Sequence, residues 1–155
     1  MTAVTGFTEL STALQRMAAA AANPTRMLKR CREHILNDVS RNFEDEEAPG
    51  GEKWDPLAVA TLLNRTKGKG SGSPKILRDT STLARSFTGQ VTVMGSSGVL
   101  EVGTNDPKAK FHQDAGGNGP SRSKIPERPM IGFDDDLAAL CLGEIEEELE
   151  RIVSL

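Results

Sequence analysis

Residues 125–133 read Ile-Pro-Glu-Arg-Pro-Met-Ile-Gly-Phe and lead directly into Asp134-Asp135-Asp136. Each proline fixes φ and lacks an N–H, so the chain enters this stretch extended and cannot be helical before Arg128. The apolar residues of Met130–Phe133 then predict one short buried strand, and the aspartates predict the cap of a following helix. The stretch contains no nucleophile, base or metal cluster, which indicates an architectural role.

Length and composition indicate one domain with a thin, aliphatic core. A chain of 155 residues has room for one domain, which buries about two-thirds of its unfolded surface. Only 37% of the residues are apolar and 4% aromatic, and there is no tyrosine. The 15 glycines and 8 prolines lie mostly between Pro49 and Gly132. A chain with helix-forming ends and a loop-rich middle is expected to gain part of its order from neighbouring molecules.

Charge is segregated along the chain, although the net charge is only −3. That net value excludes a globally basic nucleic-acid binder. Between Lys53 and Arg85 there are seven basic and two acidic residues, a net of +5, whereas residues 134–155 carry eight acidic residues against Arg151, a net of −7. Two interpretations stay open: two solvated faces, or a basic face of one copy that meets the acidic helix of the next.

The two cysteines, Cys31 and Cys141, both fall on apolar helical positions. This placement predicts reduced core residues rather than a disulfide framework. The N-terminal region lacks a charged segment followed by an apolar core, and no apolar run approaches about 18 residues. No secretion signal or membrane span is therefore expected.

Apolar residues recur at helical spacing near both ends of the chain. At the N-terminal end they predict a helix over 7–22, a break at Asn23-Pro24 and a second helix over 24–43, with one long kinked helix as the alternative. At the C-terminal end they predict a helix over 134–155 whose other face is glutamate.

The middle of the chain combines turn signals with alternating apolar residues. Trp54 is expected to anchor the point where a loop meets a short helix. The alternation over 87–93 and 99–102 predicts a β-hairpin, to which Met130–Phe133 adds the third strand. The remaining predicted elements are short helices at Leu57–Arg65 and Lys108–Asp114 and exposed loops at Thr66–Pro74 and Gly116–Lys124.

These patterns predict an α+β fold: a small antiparallel sheet, made of the hairpin and a third strand, packed with N-terminal and C-terminal helices. One domain covers residues 1–155. Its parts are an N-terminal helical region 1–43, an α+β core 54–133 with loops at 66–74 and 116–124, and a C-terminal helix 134–155.

Cysteine and histidine offer two candidate chemistries. Cys31-x-x-His34 places two metal ligands one helical turn apart, but a zinc site needs about four, and the others would be His112 and Cys141 from distant segments. A buried thiol beside a surface histidine is the favoured interpretation. A cysteine paired with His112 as nucleophile and base is disfavoured, because neither thiol lies at a helix N-terminus.

The acidic and glycine-rich runs also have architectural interpretations. Asp134-Asp135-Asp136 lie in a first helical turn, where they point in different directions and complement the helix dipole. The glycines of Gly68-x-Gly70-x-Gly72 lack the spacing and the preceding strand of a phosphate loop, so they predict a linker whose lysines contact DNA phosphates only as any basic loop does. No enzyme signature remains, and no metal or cofactor is expected.

Several short motifs follow one another between Phe43 and Phe133. They are Phe43 with acidic residues, Trp54-x-Pro56-Leu57-x-x-x-Thr61, Ile76-Leu77-x-Asp79-Thr80-x-x-Leu83-x-x-Ser86, Val102-Gly103-Thr104-Asn105, Ala109-x-x-His112-Gln113-x-x-Gly116-Gly117 and Ile125-Pro126-x-Arg128-Pro129-x-x-Gly132. In this order they resemble the tailed-phage virion morphogenesis family, or tail completion proteins, of the phage Mu and P2 type. Two positions depart from the family pattern: Lys108 replaces a tyrosine, and Asp114 replaces an aromatic or apolar residue.

The resemblance implies a structural virion protein that completes or caps the tail and helps to join it to the head. It implies a homo-oligomeric ring, expected to be a hexamer, with other neck, connector or tail-tube proteins as partners and DNA nearby in the lumen, but no membrane. The implied location is the head–tail junction or tail end of the virion, after assembly in the host cytoplasm.

Five basic residues are the predicted interface positions: Arg128, Lys67, Lys69, Arg122 and Lys124. For Arg128, the alternatives are a bridge to a carboxylate of an adjacent subunit or a tie within its own subunit. For the whole protein, the alternatives are a morphogenesis chaperone or regulator absent from the virion and, less favoured, a small metal-site enzyme.

Overall fold

The structure of the protein is a computed structural model, which describes residues 23–94, 97–113 and 125–154 and the positions Ser11, Thr12, Leu14, Gln15 and Ala18. Those five positions are helical, and the rest of the predicted helix over 7–22 lies outside the described residues. Helices combined with an antiparallel hairpin confirm the predicted α+β class. In chain order the elements are α1 (Thr25–Asp45), α2 (Val59–Asn64), α3 (Thr82–Arg85), β1 (Thr88–Met94), β2 (Ser97–Gly103), α4 (Ala109–Gln113) and α5 (Asp135–Val153).

Helix α1 is the support on which the hairpin and α5 pack. At its start, the Asn23 side chain accepts a hydrogen bond from the Thr25 N–H at 3.3 Å. Helix α1 ends at Asp45. The next residue, Glu46, has a left-handed backbone conformation with φ 58°, and an α-helix cannot continue through a residue in that conformation. Its buried face consists of Cys31, Asp38, Val39, Asn42 and Phe43.

The core is centred on aromatic rings, whereas the composition predicted an aliphatic core. The Phe43 ring packs edge to face with the rings of Trp54 and Phe87, at centroid distances of 5.6 and 5.9 Å. Aromatic pairs prefer this T-shaped arrangement. Three of the six aromatic residues of the chain thus meet at one point. The buried cluster comprises Val39, Phe43, Trp54, Ile76, Leu83 and Met130.

The β-hairpin lies against α1 through one face only. β1 and β2 pair antiparallel from Thr88↔Gly103 to Met94↔Ser97, and exposed and half-buried residues alternate along both strands. On the outer face Met94 and Val99 are exposed. On the inner face the hairpin approaches α1 at Gly98, where any side chain would collide with Leu28 and Pro24.

Helix α5 packs beside α1, and the predicted acidic cap at its start is confirmed. The Asp134 carboxylate accepts the Leu137 N–H at 2.8 Å, and the Leu137 side chain is buried. Further along, Glu144 lies 2.7 Å from both Arg30 and His34 of α1. None of the helices in the described ranges is long and apolar enough to cross a bilayer.

The predicted third strand over Met130–Phe133 is wrong. In the described residues the sheet contains only β1 and β2, and Met130–Phe133 has no regular secondary structure. The apolar pattern predicts burial correctly for Met130, which is fully buried, but wrongly for Phe133, which is 67% exposed. The backbone polar groups of this stretch, however, bond to side chains instead of a neighbouring strand.

The loop over 66–74 is largely exposed, as predicted, and hydrogen bonds from Arg65 hold its end. Helix α2 continues into a turn, Arg65–Lys69, whose backbone leaves the helical region at Lys67 and Gly68. The Arg65 guanidinium donates to the carbonyls of Ser73 and Lys75, both at 2.8 Å. The second predicted loop, 116–124, lies entirely outside the described residues.

Candidate functional site

The segment Pro126–Ile131, here called the proline segment, is held by side chains from three other parts of the chain. Its two prolines have no N–H to offer a strand, and Arg128 and Met130 of the segment are buried. Buried backbone groups need partners. These partners come from α1, from the loop before α2, and from α4.

Helix α4 supplies the largest share through its last two residues. The Gln113 Oε1 accepts the N–H groups of Met130 at 2.9 Å and Ile131 at 3.2 Å, and its Nε2 donates to the Ile131 carbonyl at 2.6 Å. The His112 carbonyl accepts the Arg128 N–H at 2.7 Å. The His-Gln pair of the sequence motif thus binds the Pro-x-Arg-Pro motif directly.

Trp54 and Asn42 hold two carbonyls of the proline segment from the opposite side. The Trp54 Nε1 donates to the Pro129 carbonyl at 2.9 Å, while its ring packs on Phe43. The Asn42 Nδ2 donates to the Met130 carbonyl at 3.3 Å and to Asp38 at 3.3 Å. Trp54 is therefore the anchor that the sequence predicted, with the proline segment as its partner.

Arg128 is buried, with only 5% of its surface exposed. Its Nε and Nη2 donate to the Asp55 carbonyl at 3.0 and 2.8 Å, and Nη2 also donates to the Pro56 carbonyl at 3.2 Å. Burial lowers the pKa of the guanidinium, and the Asp55 charge acts in the opposite direction. The arrangement joins the loop before α2 to the proline segment within one subunit.

His112 lies beside Arg128 in a partly dehydrated position. Burial lowers the pKa of its imidazole, and the Arg128 charge lowers it further, while a hydrogen bond to the Pro126 carbonyl acts in the opposite direction. Within the described part of the chain, the His112 Nδ1 is buried and has no hydrogen-bond partner. Neutral His112 therefore suits this site better than the protonated form.

The basic residues predicted as interface positions occupy different environments where the structure describes them. Arg128 is inside the subunit, whereas the Lys67 side chain is exposed and forms no ion pair with any described residue. Lys69 lies in the turn after α2, and Arg122 and Lys124 lie outside the described residues. An intersubunit role for these positions stays a prediction.

The candidate metal site does not assemble among the described residues, where no group of three or more histidine, cysteine, aspartate or glutamate side chains has suitable geometry. Cys31 is buried, and its Sγ lies 3.9 Å from the Cys141 carbonyl. Burial, with Cys141 close by, raises the pKa of the Cys31 thiol to about 11, which disfavours the reactive thiolate. His34 is paired with Glu144 instead of standing free on the surface.

Sequence reasoning assigned no contact to Asn42 or Gln113, which hold the proline segment. Asn42 carried a usable signal, because an amide on the buried face of α1 needs a hydrogen-bond partner. Gln113 stood inside a recognised motif, but nothing in the sequence relates it to a backbone stretch 17 residues later.

The fold is a small α+β fold, and its candidate site is structural: hydrogen bonds from other parts of the chain hold the proline segment in place. The sequence profile of the phage virion morphogenesis family matches residues 6–150. The chain therefore belongs to that family, which confirms the resemblance and gives the protein a role in phage virion assembly.

A curated relative extends over almost the same length. The chain is 27% identical over 146 residues to the Mu-like prophage FluMu G protein 2 of Haemophilus influenzae, an alignment that covers 94% of this chain and 92% of the relative. No solved structure matches the chain.

Proposed function

We propose that this protein is a structural virion component that completes or caps the phage tail and helps to join it to the head. It acts as a homo-oligomeric ring of six copies rather than as an enzyme. Its neighbours are neck, connector or tail-tube proteins, and DNA passes near the lumen without specific recognition. Membership of the virion morphogenesis family supports this proposal.

The observation that carries the proposal is the uncovered apolar surface of the single subunit. Large exposed apolar side chains occur on α2, on the hairpin and on α5. Scattered apolar residues are ordinary on protein surfaces, but groups of them mark contacts with other molecules. The exposed residues are Leu14, Val59, Leu63, Met94, Val99, Ile125, Phe133, Leu140, Leu142 and Leu149.

The charge distribution supports head-to-tail association. Residues 53–85 are predominantly basic and residues 134–155 predominantly acidic. Two different, complementary surfaces on one chain produce heterologous contacts, which close into a ring when the rotation between copies allows it.

Purified virions and a null phage test the proposal together. We expect mass spectrometry to find the protein in purified virions, and electron microscopy of a null lysate to show heads and tails that are not joined. A protein that is needed for assembly but absent from virions would instead identify the chaperone or regulator alternative. A null phage with normal joined particles would contradict both.

Light scattering across concentration and salt tests the ring itself. A ring-sized mass that falls as salt rises is expected, because salt screens exposed charges beyond about 8 Å at physiological ionic strength. A mass that stays constant with salt would contradict the role of the charged segments.

A further inference from the structure

Among the residues that the structure describes, helix α2 has no packing partner except the turn that continues it. Not one of its residues is buried, although it contains Val59, Leu62 and Leu63. Val59 is 71% exposed and Leu63 50% exposed. Within the described ranges α2 makes no extended contact with any helix or strand except the turn that continues it. An apolar helix in this position is normally covered.

A positive charge lies just beyond the uncovered face of α2. Val59 and Leu63 are four residues apart, a spacing that places them on one side of the helix, and Lys67 lies in the turn that continues it. Lys67 is exposed and has no acidic partner among the described side chains. We call Val59, Leu63 and Lys67 the α2 stripe.

Helix α5 has an uncovered face of the opposite charge. Its side towards α1 holds Leu137, Cys141 and Glu144, whereas Leu142 and Leu149 are 58% and 43% exposed. Glu146 and Glu150 lie on the same outward side, are exposed, and form no ion pair with a described residue. We call Leu142, Glu146, Leu149 and Glu150 the α5 face.

We propose that the α2 stripe of one subunit docks on the α5 face of a second copy of this chain. Val59 and Leu63 would cover Leu142 and Leu149, while Lys67 would pair with Glu146 or Glu150. The inference rests on the proposed self-association and identifies the surfaces that carry it.

A second copy fits better than an unrelated partner because each subunit contains both halves of the contact. In this contact the apolar residues of the α2 stripe face those of the α5 face, and Lys67 faces Glu146 or Glu150. The charges of the two copies are therefore complementary. The two halves differ, which makes the contact heterologous, as a ring requires.

Charge exchange is the decisive experiment. Lys67→Glu should raise the concentration for half-assembly about tenfold, because an attraction becomes a repulsion. Combining it with Glu146→Lys or with Glu150→Lys should restore assembly for one of the two pairs. Assembly is measured by light scattering and, in parallel, by plaque formation when each variant complements a null phage.

Matched controls separate this contact from general effects of charge. Leu142→Glu should weaken assembly, whereas Leu140→Glu should not, although Leu140 is 51% exposed on another side of the same helix. Glu101→Lys makes the same glutamate-to-lysine change on the exposed face of β2, outside the α2 stripe and the α5 face, and is the control for charge alone. Circular dichroism should show all variants folded.

The outcomes distinguish the contact from the function. Rescue of Lys67→Glu by either glutamate reversal, in solution or in plaques, supports the contact. If neither pair is rescued in either assay, the contact is overturned, even if virions contain the protein and the ring forms. If rescue occurs but null phage join heads and tails normally, the contact stands and the proposed function fails.

Discussion

The Gln113 side chain forms with Ile131 the two hydrogen bonds that a neighbouring β-strand would otherwise form. Its Oε1 accepts the Ile131 N–H at 3.2 Å, and its Nε2 donates to the Ile131 carbonyl at 2.6 Å. In a sheet these two groups would bond to the backbone of another strand, whatever its side chains. Here they depend on one carboxamide, which also accepts the Met130 N–H. The identity of residue 113 therefore matters as much as its position.

Gln113→Leu should lower the free energy of unfolding by about 3 kcal/mol, because three buried backbone groups lose their partner. Gln113→Glu should also be destabilising, since a carboxylate can accept from both N–H groups but cannot donate to the carbonyl. Urea denaturation measures both changes. Gln90→Leu, at an exposed position of β1, is the control. Equal midpoints for the Gln113 and Gln90 variants would contradict the role of the amide.

Arg128→Lys should cost about 2 kcal/mol, although the charge is kept, because a single ammonium group cannot reproduce the bonds from Nε and Nη2 to two carbonyls. The loop at Asp55-Pro56 should loosen, and the fluorescence of the neighbouring Trp54 should shift to longer wavelength. Arg85→Lys at an exposed position should change neither stability nor fluorescence. A lysine variant as stable as the parent would show that the guanidinium bonds are dispensable.

The lowered pKa of His112 predicts a loss of stability in mild acid. A group whose pKa is lower in the folded state than in the unfolded state stabilises the fold above the unfolded pKa, which is about 6.5 for histidine. That contribution is lost as the pH falls from there through the lowered pKa of folded His112.

The measurement is urea denaturation of the parent and of His112→Gln at several values between about pH 8 and pH 5. The parent should lose more stability than the variant over this range, and taking the difference removes the contribution of His34, which both proteins keep. If the free energy of unfolding falls equally with pH in both proteins, His112 has the same pKa in the folded and unfolded chain, and the prediction is wrong.

Gly98→Ala should destabilise the contact between the hairpin and α1 by about 1–3 kcal/mol, the usual cost of overpacking. A Cβ at this position would lie 2.8 Å from the Pro24 Cγ and even closer to Leu28. Gly103→Ala is the matched control in the same strand, because its Cβ would meet no atom within 4 Å. Thermal unfolding measures the melting temperatures of both variants. Equal melting temperatures for Gly98→Ala and Gly103→Ala would contradict the prediction.

Local signals in the sequence predicted the cap of α5 and the hairpin correctly. Asp134 caps α5 as expected, because capping depends on residues only three apart. The hairpin followed from alternation on either side of a glycine-containing turn. The prediction of a third strand was wrong because the apolar pattern of Met130–Phe133 contains no information on what bonds to the backbone.

The candidate site could not be derived in the same way. The flanking prolines drew attention to Arg128, but the carbonyls that accept its hydrogen bonds lie 73 and 72 residues away in the chain. They are backbone carbonyls, which every residue carries, so no residue type indicates them. The α2 stripe was likewise hidden, because Val59 and Leu63 have the spacing of ordinary core residues and only the fold shows them uncovered.

The side-chain bonding of the proline segment also restricts how this sequence can diverge. A strand tolerates many substitutions in its neighbour, because the bonds between them come from the backbone. The proline segment instead relies on the chemical identity of Asn42, Trp54 and Gln113. These positions are distant in sequence and are constrained together, so a lineage that replaced one of them would have to rebuild this part of the subunit.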